Sequence, residues 1–432
     1  MESPVDGREA AKTLTEGIGR RRLLAAAGAV GAAAAVSDVG GRAAYAAPPP
    51  APDPSGVSMI LQPGVGPRLG RYLRSTVDTV RWGELPNRTS TPVMSVASGS
   101  TVTIDTISHE GLLEDQGKNP VQYFGDHGVR STDVLSDAQT IATTKPHTGP
   151  GPHIVTGPIY VRGASPGDVL QVEVLRLLRR VPYGVISNRH GRGALPGEYP
   201  ERFEGVPEYQ RYFNPGGNIS IYTPVRLFRS GPRGVLPAGG RGVETIFRIE
   251  PFLGMMGVAL DTDAQVDSIP PTIGGGNIDI RHLVVGSKLF LPVQLPGAMF
   301  YTGDPHFAQG HGEVSLTALE ASLRATFRLT VVKKGGRAPA PAFAGWPFGE
   351  TPNAWLPIGL SDPDGPVGGQ ETSLDPAMRT AVRNALMFLT EDLGLDGPVA
   401  YCYLSAAADF VCSQVVDRTT GVHGVITKSD FL

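Results

Sequence analysis

Histidine and carboxylate share short, glycine-rich segments in this chain. The densest runs Gly303-Asp304-Pro305-His306-Phe307-Ala308-Gln309-Gly310-His311-Gly312-Glu313. It offers two imidazoles, two carboxylates and a carboxamide, with glycines that let the backbone bend tightly. A second segment, Gly274 to His282, holds Asn277, Asp279, Arg281 and His282, and a third runs from Pro152 to Pro158 with His153. Of the nine histidines, eight lie between residues 109 and 311. Imidazole and carboxylate are ligands for Zn²⁺ or a related divalent ion, and the same types do acid/base work. A single histidine in a turn reads as a hydrogen-bonded structural residue. Three clusters together favour metal or acid/base chemistry. If residues 311–316 form a strand, His311 and Glu313 share a face.

The elements that would hold these clusters read as β. Gly 56 and Pro 39 make up about a fifth of the 432 residues, which works against long helices. With 41% hydrophobic residues the chain can still build a core. Ser100–Ile107 alternates with period two, and 157–161 and 169–175 flank a Ser-Pro-Gly-Asp turn. Further strands are expected at 245–249, 254–258, 288–293 and 325–332. Residues 181–240 read as an irregular insertion, and 335–370 as a Gly/Pro/Trp-rich connection. One helix is clear: Asp375 as cap, Pro376 in the first turn, apolar spacing through residue 395 and Gly394 as a stop. A shorter helix is expected around 400–410.

The remaining signals concern address and class. Arg20, Arg21 and Arg22 precede Leu23, Leu24 and an Ala/Gly-rich run, with Ala44-Tyr45-Ala46 beyond. That order predicts a twin-arginine-type signal peptide over 1–46 and a disordered leader over 47–70. The destination would be periplasm, cell wall or exterior, with no integral membrane segment after cleavage. A net charge of −3 gives no footprint for nucleic acid. Cys402 and Cys412 have no zinc-knot spacing and read either as a disulfide or as two free thiols. Gly163-Ala164-Ser165-Pro166-Gly167 fits Gly-x-Ser-x-Gly, but it lies in a turn between two expected strands rather than between a strand and a helix, so no nucleophile elbow is indicated.

The same segments resemble the acetamidase/formamidase family. The matching features are His153-x-x-Thr156-Gly157-Pro158 with its following Pro-Gly-Asp turn, Gly275-Gly276-Asn277-x-Asp279, and Gly303-Asp304-x-His306-x-x-Gln309-Gly310-x-Gly312-Glu313. They are collinear, and the likeness runs from about residue 95 to the C-terminus. The resemblance implies a mainly β fold: a jelly-roll-like sandwich, a β-barrel-like region and a C-terminal helix. It places the family-like region at 71–432, with an N-terminal β part to about 260 and a C-terminal part over 261–432. It implies a homo-oligomer that cleaves a short-chain amide to carboxylate and ammonia. It also implies a divalent metal, zinc first, with calcium at a second site. On that reading Asp279, His306 and His153 hold the ion, and Glu313 is the general base and acid. Asn277 and Gln309 hold the amide or its oxyanion. His311, His109 and Asp115 are secondary metal candidates, His109 and Asp115 together with Glu110 as parts of the second site. The family commonly carries aspartate where this chain has His311. Two other readings remain: a non-catalytic ligand-binding sandwich that keeps the fold, and a hydrolase of another C–N bond.

Overall fold

A computed structural model describes residues 60–431. The signal peptide and most of the leader lie outside the described residues. Within them, the alternating segments become two large sheets. The first is nine-stranded, in the order Arg71–Leu73, Ser100–Asp105, Leu323–Val332, Val169–Arg179, Lys288–Pro292, Phe348–Glu350, Ala354–Leu360, Gly421–Thr427 and Asp409–Gln414. The second has eleven strands and does not close into a barrel. Its main path runs Thr245–Arg248, Gly231–Leu236, Ile219–Phe228, Tyr183–Asn188, Leu319–Glu320, Phe300–Ala308, Phe252–Val258 and Gly275–Asn277. Ile154–Arg162 branches from Phe300–Ala308 and carries Val80–Trp82 and Met94–Ala97.

The sheets share one hydrophobic cluster, to which Val102, Ile104 and Phe327 come from the first and Met256, Val258 and Phe300 from the second. Phe300 and Phe327 meet edge to face across it at 5.5 Å. Both sheets draw strands from each side of residue 260, so the two parts of the chain build a common core.

Three sequence expectations change. The 181–240 segment is not irregular throughout, because 183–188, 219–228 and 231–236 extend the larger sheet. The 335–370 connection contributes two strands to the smaller one. Residues 60–70, assigned to the leader, run against the core. Leu61 is buried and exchanges hydrogen bonds with Arg180, and Leu69 N–H donates to Thr103 Oγ1 at 2.9 Å.

The C-terminal helix spans Leu374–Met387, with Ser373 rather than Asp375 as its cap. Its small residues Ala377 and Ala381 lie against Gly359 of the neighbouring strand, where a Cβ would come within 2.1 Å of Ala377 O. A wider turn over Phe388–Asp392 follows, and the chain turns at Gly394 with φ +74°. No neighbour stands near that glycine, so Gly394→Ala carries only the left-handed backbone cost of about 1–2 kcal/mol. A thermal or denaturant melt should show that loss with activity unchanged. The second helix, Gly397–Ala407, starts a little earlier than its sequence suggested. Both cysteines are free, Cys402 exposed and Cys412 half-buried.

Candidate active site

His306 stands on the strand Phe300–Ala308, not in a loop. That strand is buried almost throughout, so it lacks the period-two alternation that marks a half-exposed strand. Its neighbour Phe252–Val258 pairs with it in register, Phe252 opposite His306 and Met255 opposite Gly303. Glu320 faces His306 from the other side. Met255 also pairs with Asn277, which brings the Gly-Gly-Asn segment alongside. The N–H groups of Ile278 and Asp279 both donate to Gly254 O at 3.1 Å, and this turns Asp279 toward His306.

The result is a buried cluster. His306 Nε2 lies 2.9 Å from Asp304 Oδ2 and 2.9 Å from Glu320 Oε1, and its Nδ1 lies 3.7 Å from Asp279 Oδ1. His153 Nε2 and His109 Nδ1 each approach Asp304 Oδ1 to 3.8 Å, with their rings perpendicular at 5.2 Å. Three overlapping groups bring their ligand-type atoms within 4.8 Å of one another: His109, His153 and Asp304; Asp279, His306 and Glu313; Asp304, His306 and Glu320. Asp279, Asp304 and Glu313 all adopt left-handed backbone, with φ of 49°, 48° and 47°. Non-glycine residues hold that conformation at a cost, which the surrounding structure must impose.

The electrostatics are unbalanced. Burial, joined by the neighbouring carboxylates, raises Asp279, Glu313, Glu320 and Asp417 above the usual carboxylate range. Against its own burial, Asp304 is held well below that range by His306 and His153. Burial pushes His153 down to about 4. Both oxygens of Asp279, Oδ1 of Asp304, Oε2 of Glu320 and both ring nitrogens of His109 are buried without a hydrogen-bond partner. His306 Nε2 also makes no well-aligned hydrogen bond, despite its two close carboxylates. Groups this costly to leave unpaired fit a bound cation. The space is there because residue 254 is glycine. A Cβ would fall 2.3 Å from Asp279 Oδ1, 2.5 Å from Asp304 Oδ2 and 2.7 Å from His306 Cε1. The mixed imidazole and carboxylate donors suit zinc or a similar divalent ion.

The cluster opens on a cavity of about 380 Å³, lined among others by His109, His153, Asn277, Asp304, Glu313 and Glu320. Leu113, Ile269, Val416 and Arg189 also line it. Asn277 Oδ1 is buried and unpaired at the cavity wall. Glu313 also lines a second cavity of about 440 Å³, shared with Arg281 and His311.

Several sequence candidates are thus brought together: Asp279, His306, His153, His109, Glu313 and Asn277. Gln309 is elsewhere employed. Its Oε1 meets His306 Nδ1 at 3.1 Å, and its Nε2 donates to Asp279 O and Ser413 O. It braces the cluster and has no group left for an amide. Asp115 lines the same cavity but is already paired. Arg189 at 2.9 Å, Asn214 and Asn218 take its carboxylate, so a cationic group already neutralises the expected calcium position. Arg189 also binds Glu110 at 2.9 Å. His311 is exposed and turned to His282 and His423. The reason is that 311–316 is a loop rather than a strand, with positive φ at Gly312, Glu313 and Leu316. Asp304, Glu320 and Asp417 were not singled out. Asp304 was visible within its motif, but Glu320 and Asp417 carry no motif and reach the site only through strand pairing and the tail.

Residues 253–427 match the sequence profile of the Acetamidase/Formamidase family. A Schizosaccharomyces pombe protein provisionally named a formamidase is 28% identical over 241 residues, covering 48% of this chain. The chain spans 57% of that protein's length, less than two thirds. An acetamidase of Mycolicibacterium smegmatis is 27% identical over 299 residues, covering 59% of this chain and 73% of its own length. The crystal structure of an acetamidase from Yersinia enterocolitica superposes with a TM-score of 0.62 at 23% identity. That match covers 85% of this chain and 94% of the other, and bears on the fold alone.

Proposed function

We propose that the chain is a member of the acetamidase/formamidase family, whose profile its residues 253–427 match, and that it hydrolyses a short-chain amide, of the formamide or acetamide type, to a carboxylate and ammonia. The observation that carries this reading is the convergence of Glu313 and Asn277 with the histidine–carboxylate cluster at one cavity wall. A non-catalytic sandwich has no need of strained, unpaired buried carboxylates at a cavity.

His306, Asp279 and Asp304, with His153, His109 and Glu320 close by, are the residues that would hold a divalent ion, zinc by preference. When bound, such an ion supplies Lewis-acid polarisation of the amide carbonyl and counter-charge for the carboxylates. The remaining work falls to the chain. Asn277 Oδ1 accepts a hydrogen bond from the substrate NH₂ and orients the amide. Glu313 takes a proton from water as its oxygen bonds to the carbonyl carbon. It then returns that proton to nitrogen as the C–N bond breaks, releasing ammonia. Gln309 keeps His306 in position by holding Nδ1. The burial of the cluster excludes bulk water and strengthens each of these interactions.

The test is ammonia release from formamide, acetamide and propionamide by metal-replete full-length protein, with and without chelator. Release is expected, falling to background in the stripped sample and returning on adding Zn²⁺. If no amide yields ammonia in a metal-replete sample, the proposal fails.

Export belongs to the same proposal and rests on Arg20 to Leu24. Replacing Arg20 and Arg21 by lysine should leave uncleaved precursor in the cytoplasm, as fractionation and mass spectrometry would show. Among the described residues no helix is long and apolar enough to cross a membrane. Assembly as a homo-oligomer is likewise proposed, and light scattering would measure it.

A further inference from the structure

Behind the catalytic loop lies a group of imidazoles that the hydrolytic mechanism does not use. His282 Nδ1 and His423 Nε2 are 3.0 Å apart, and their rings are nearly perpendicular at 5.2 Å. His311 packs beside both, its ring centre 5.0 Å from His282 and 5.7 Å from His423. His423 is fully buried, and its Nδ1 is fixed by Ser413 Oγ at 2.8 Å, which aims Nε2 at His282. His311 makes no hydrogen bond of its own and is exposed on the cavity of about 440 Å³.

We propose that His282, His311 and His423 form a second metal site, for a borderline divalent transition ion such as Zn²⁺, Co²⁺ or Ni²⁺. The ring centres are spaced as in a three-imidazole site, although no His311 nitrogen yet comes as close to the other two as His282 Nδ1 and His423 Nε2 are to each other. An imidazole nitrogen about 2.0–2.1 Å from zinc puts its ring centre roughly 3.2 Å from the ion, so tetrahedrally arranged rings stand about 5 Å apart. The two nitrogens that already face each other would be ligand atoms, and a turn of the unbonded His311 ring brings the third. The Ser413 contact to the far nitrogen of His423 is the orienting bond that ligand histidines commonly have. The donor set has three neutral nitrogens and no carboxylate, so it favours transition ions over Ca²⁺ or Mg²⁺. Arg281 is the nearby cationic group, and Glu250 holds it at 3.2 Å, which offsets its charge. The larger cavity gives an ion a way in from solvent.

Such an ion would tie the tail to the catalytic loop. Ser413 O accepts hydrogen bonds from Gly312 N–H at 3.1 Å and from Gln309 Nε2 at 3.3 Å, and so joins His423 to the segment that carries Glu313. The ion would fix the loop without touching substrate.

The experiment uses untagged full-length protein, stripped with chelator, reloaded with Co²⁺ or Zn²⁺ and passed through gel filtration. Metal per chain is read by mass spectrometry, and cobalt also by its visible absorption. Wild type is expected to retain one equivalent more than His311→Ala and than His282→Ala, with the extra cobalt giving a tetrahedral spectrum. His311 is exposed, so its variant should fold as wild type does. The difference between proteins is the readout, so the result does not depend on what the carboxylate cluster holds. Equal metal content in wild type and His311→Ala would overturn the proposal and leave a hydrogen-bonded His282–His423 pair with an exposed His311 packed beside it.

Discussion

Glu313→Gln should lower kcat by about 10²–10⁴-fold, the usual worth of a positioned general base, while KM and the melting temperature stay close to wild type. The amide is nearly isosteric with the carboxylate, so the left-handed turn at φ 47° and the packing of the loop are preserved. What is lost is the ability to take the water's proton and return it to the leaving nitrogen. Glu313 is buried beside Asp279 and Asp417, so replacing it also removes one of the carboxylates that repel each other. Stability should therefore hold or rise slightly. A variant that keeps near-full kcat would show that another buried carboxylate of the cluster, such as Glu320, carries the proton. A fall in kcat and KM together would instead point to relieved ground-state strain. Initial rates of ammonia release over a range of acetamide concentrations separate these outcomes.

Much of this site could be read from the chain because its parts lie in short motifs. Asp279 and His306 were assigned from Gly-Gly-Asn-x-Asp and Gly-Asp-x-His, and these segments are brought together by pairing with the intervening strand Phe252–Val258. Strands with regular alternation, such as Ser100–Asp105 and Val169–Arg179, were equally legible. Legibility ended where period and exposure part company. Phe300–Ala308 contains Gly303 and Pro305 and is buried on both faces, so it reads as a loop although it is a central strand. Glu320 is opposite His306 only because two strands align in register, and no local spacing encodes that. Asp115 was assigned to the second cation site, but its partner is Arg189, supplied from a segment that composition marked as an insertion. The tail strands Asp409–Gln414 and Gly421–Thr427 were not foreseen either, and they bring His423 and Asp417 to the site region.

Gly254→Ala should abolish most of the activity, by about 10²-fold or more, although residue 254 touches no substrate and carries no chemistry. Its backbone is compatible with alanine, since only the left-handed glycines carry an intrinsic penalty and this one does not share their φ. The obstacle is spatial. The added methyl would stand 2.3–2.7 Å from Asp279 Oδ1, Asp304 Oδ2 and His306 Cε1. These are three of the groups that would hold the ion, and none has slack. Asp279 is tied through its N–H to Gly254 O, and His306 is locked by Gln309 and two sheet neighbours. Relief requires the strand or the ligands to move by several tenths of an ångström or more. A displacement near 1 Å of a reacting group is enough for about 10²-fold. Overpacking at such a point typically costs about 1–3 kcal/mol of stability. The variant should therefore fold, melt a few degrees lower, and show both weaker metal retention at the carboxylate cluster and slow ammonia release. The extra equivalent assigned to His282, His311 and His423 should survive, because those rings are not among the atoms the new methyl would meet. Full activity in Gly254→Ala would mean that the gap beside His306 is not where the ion and the amide meet.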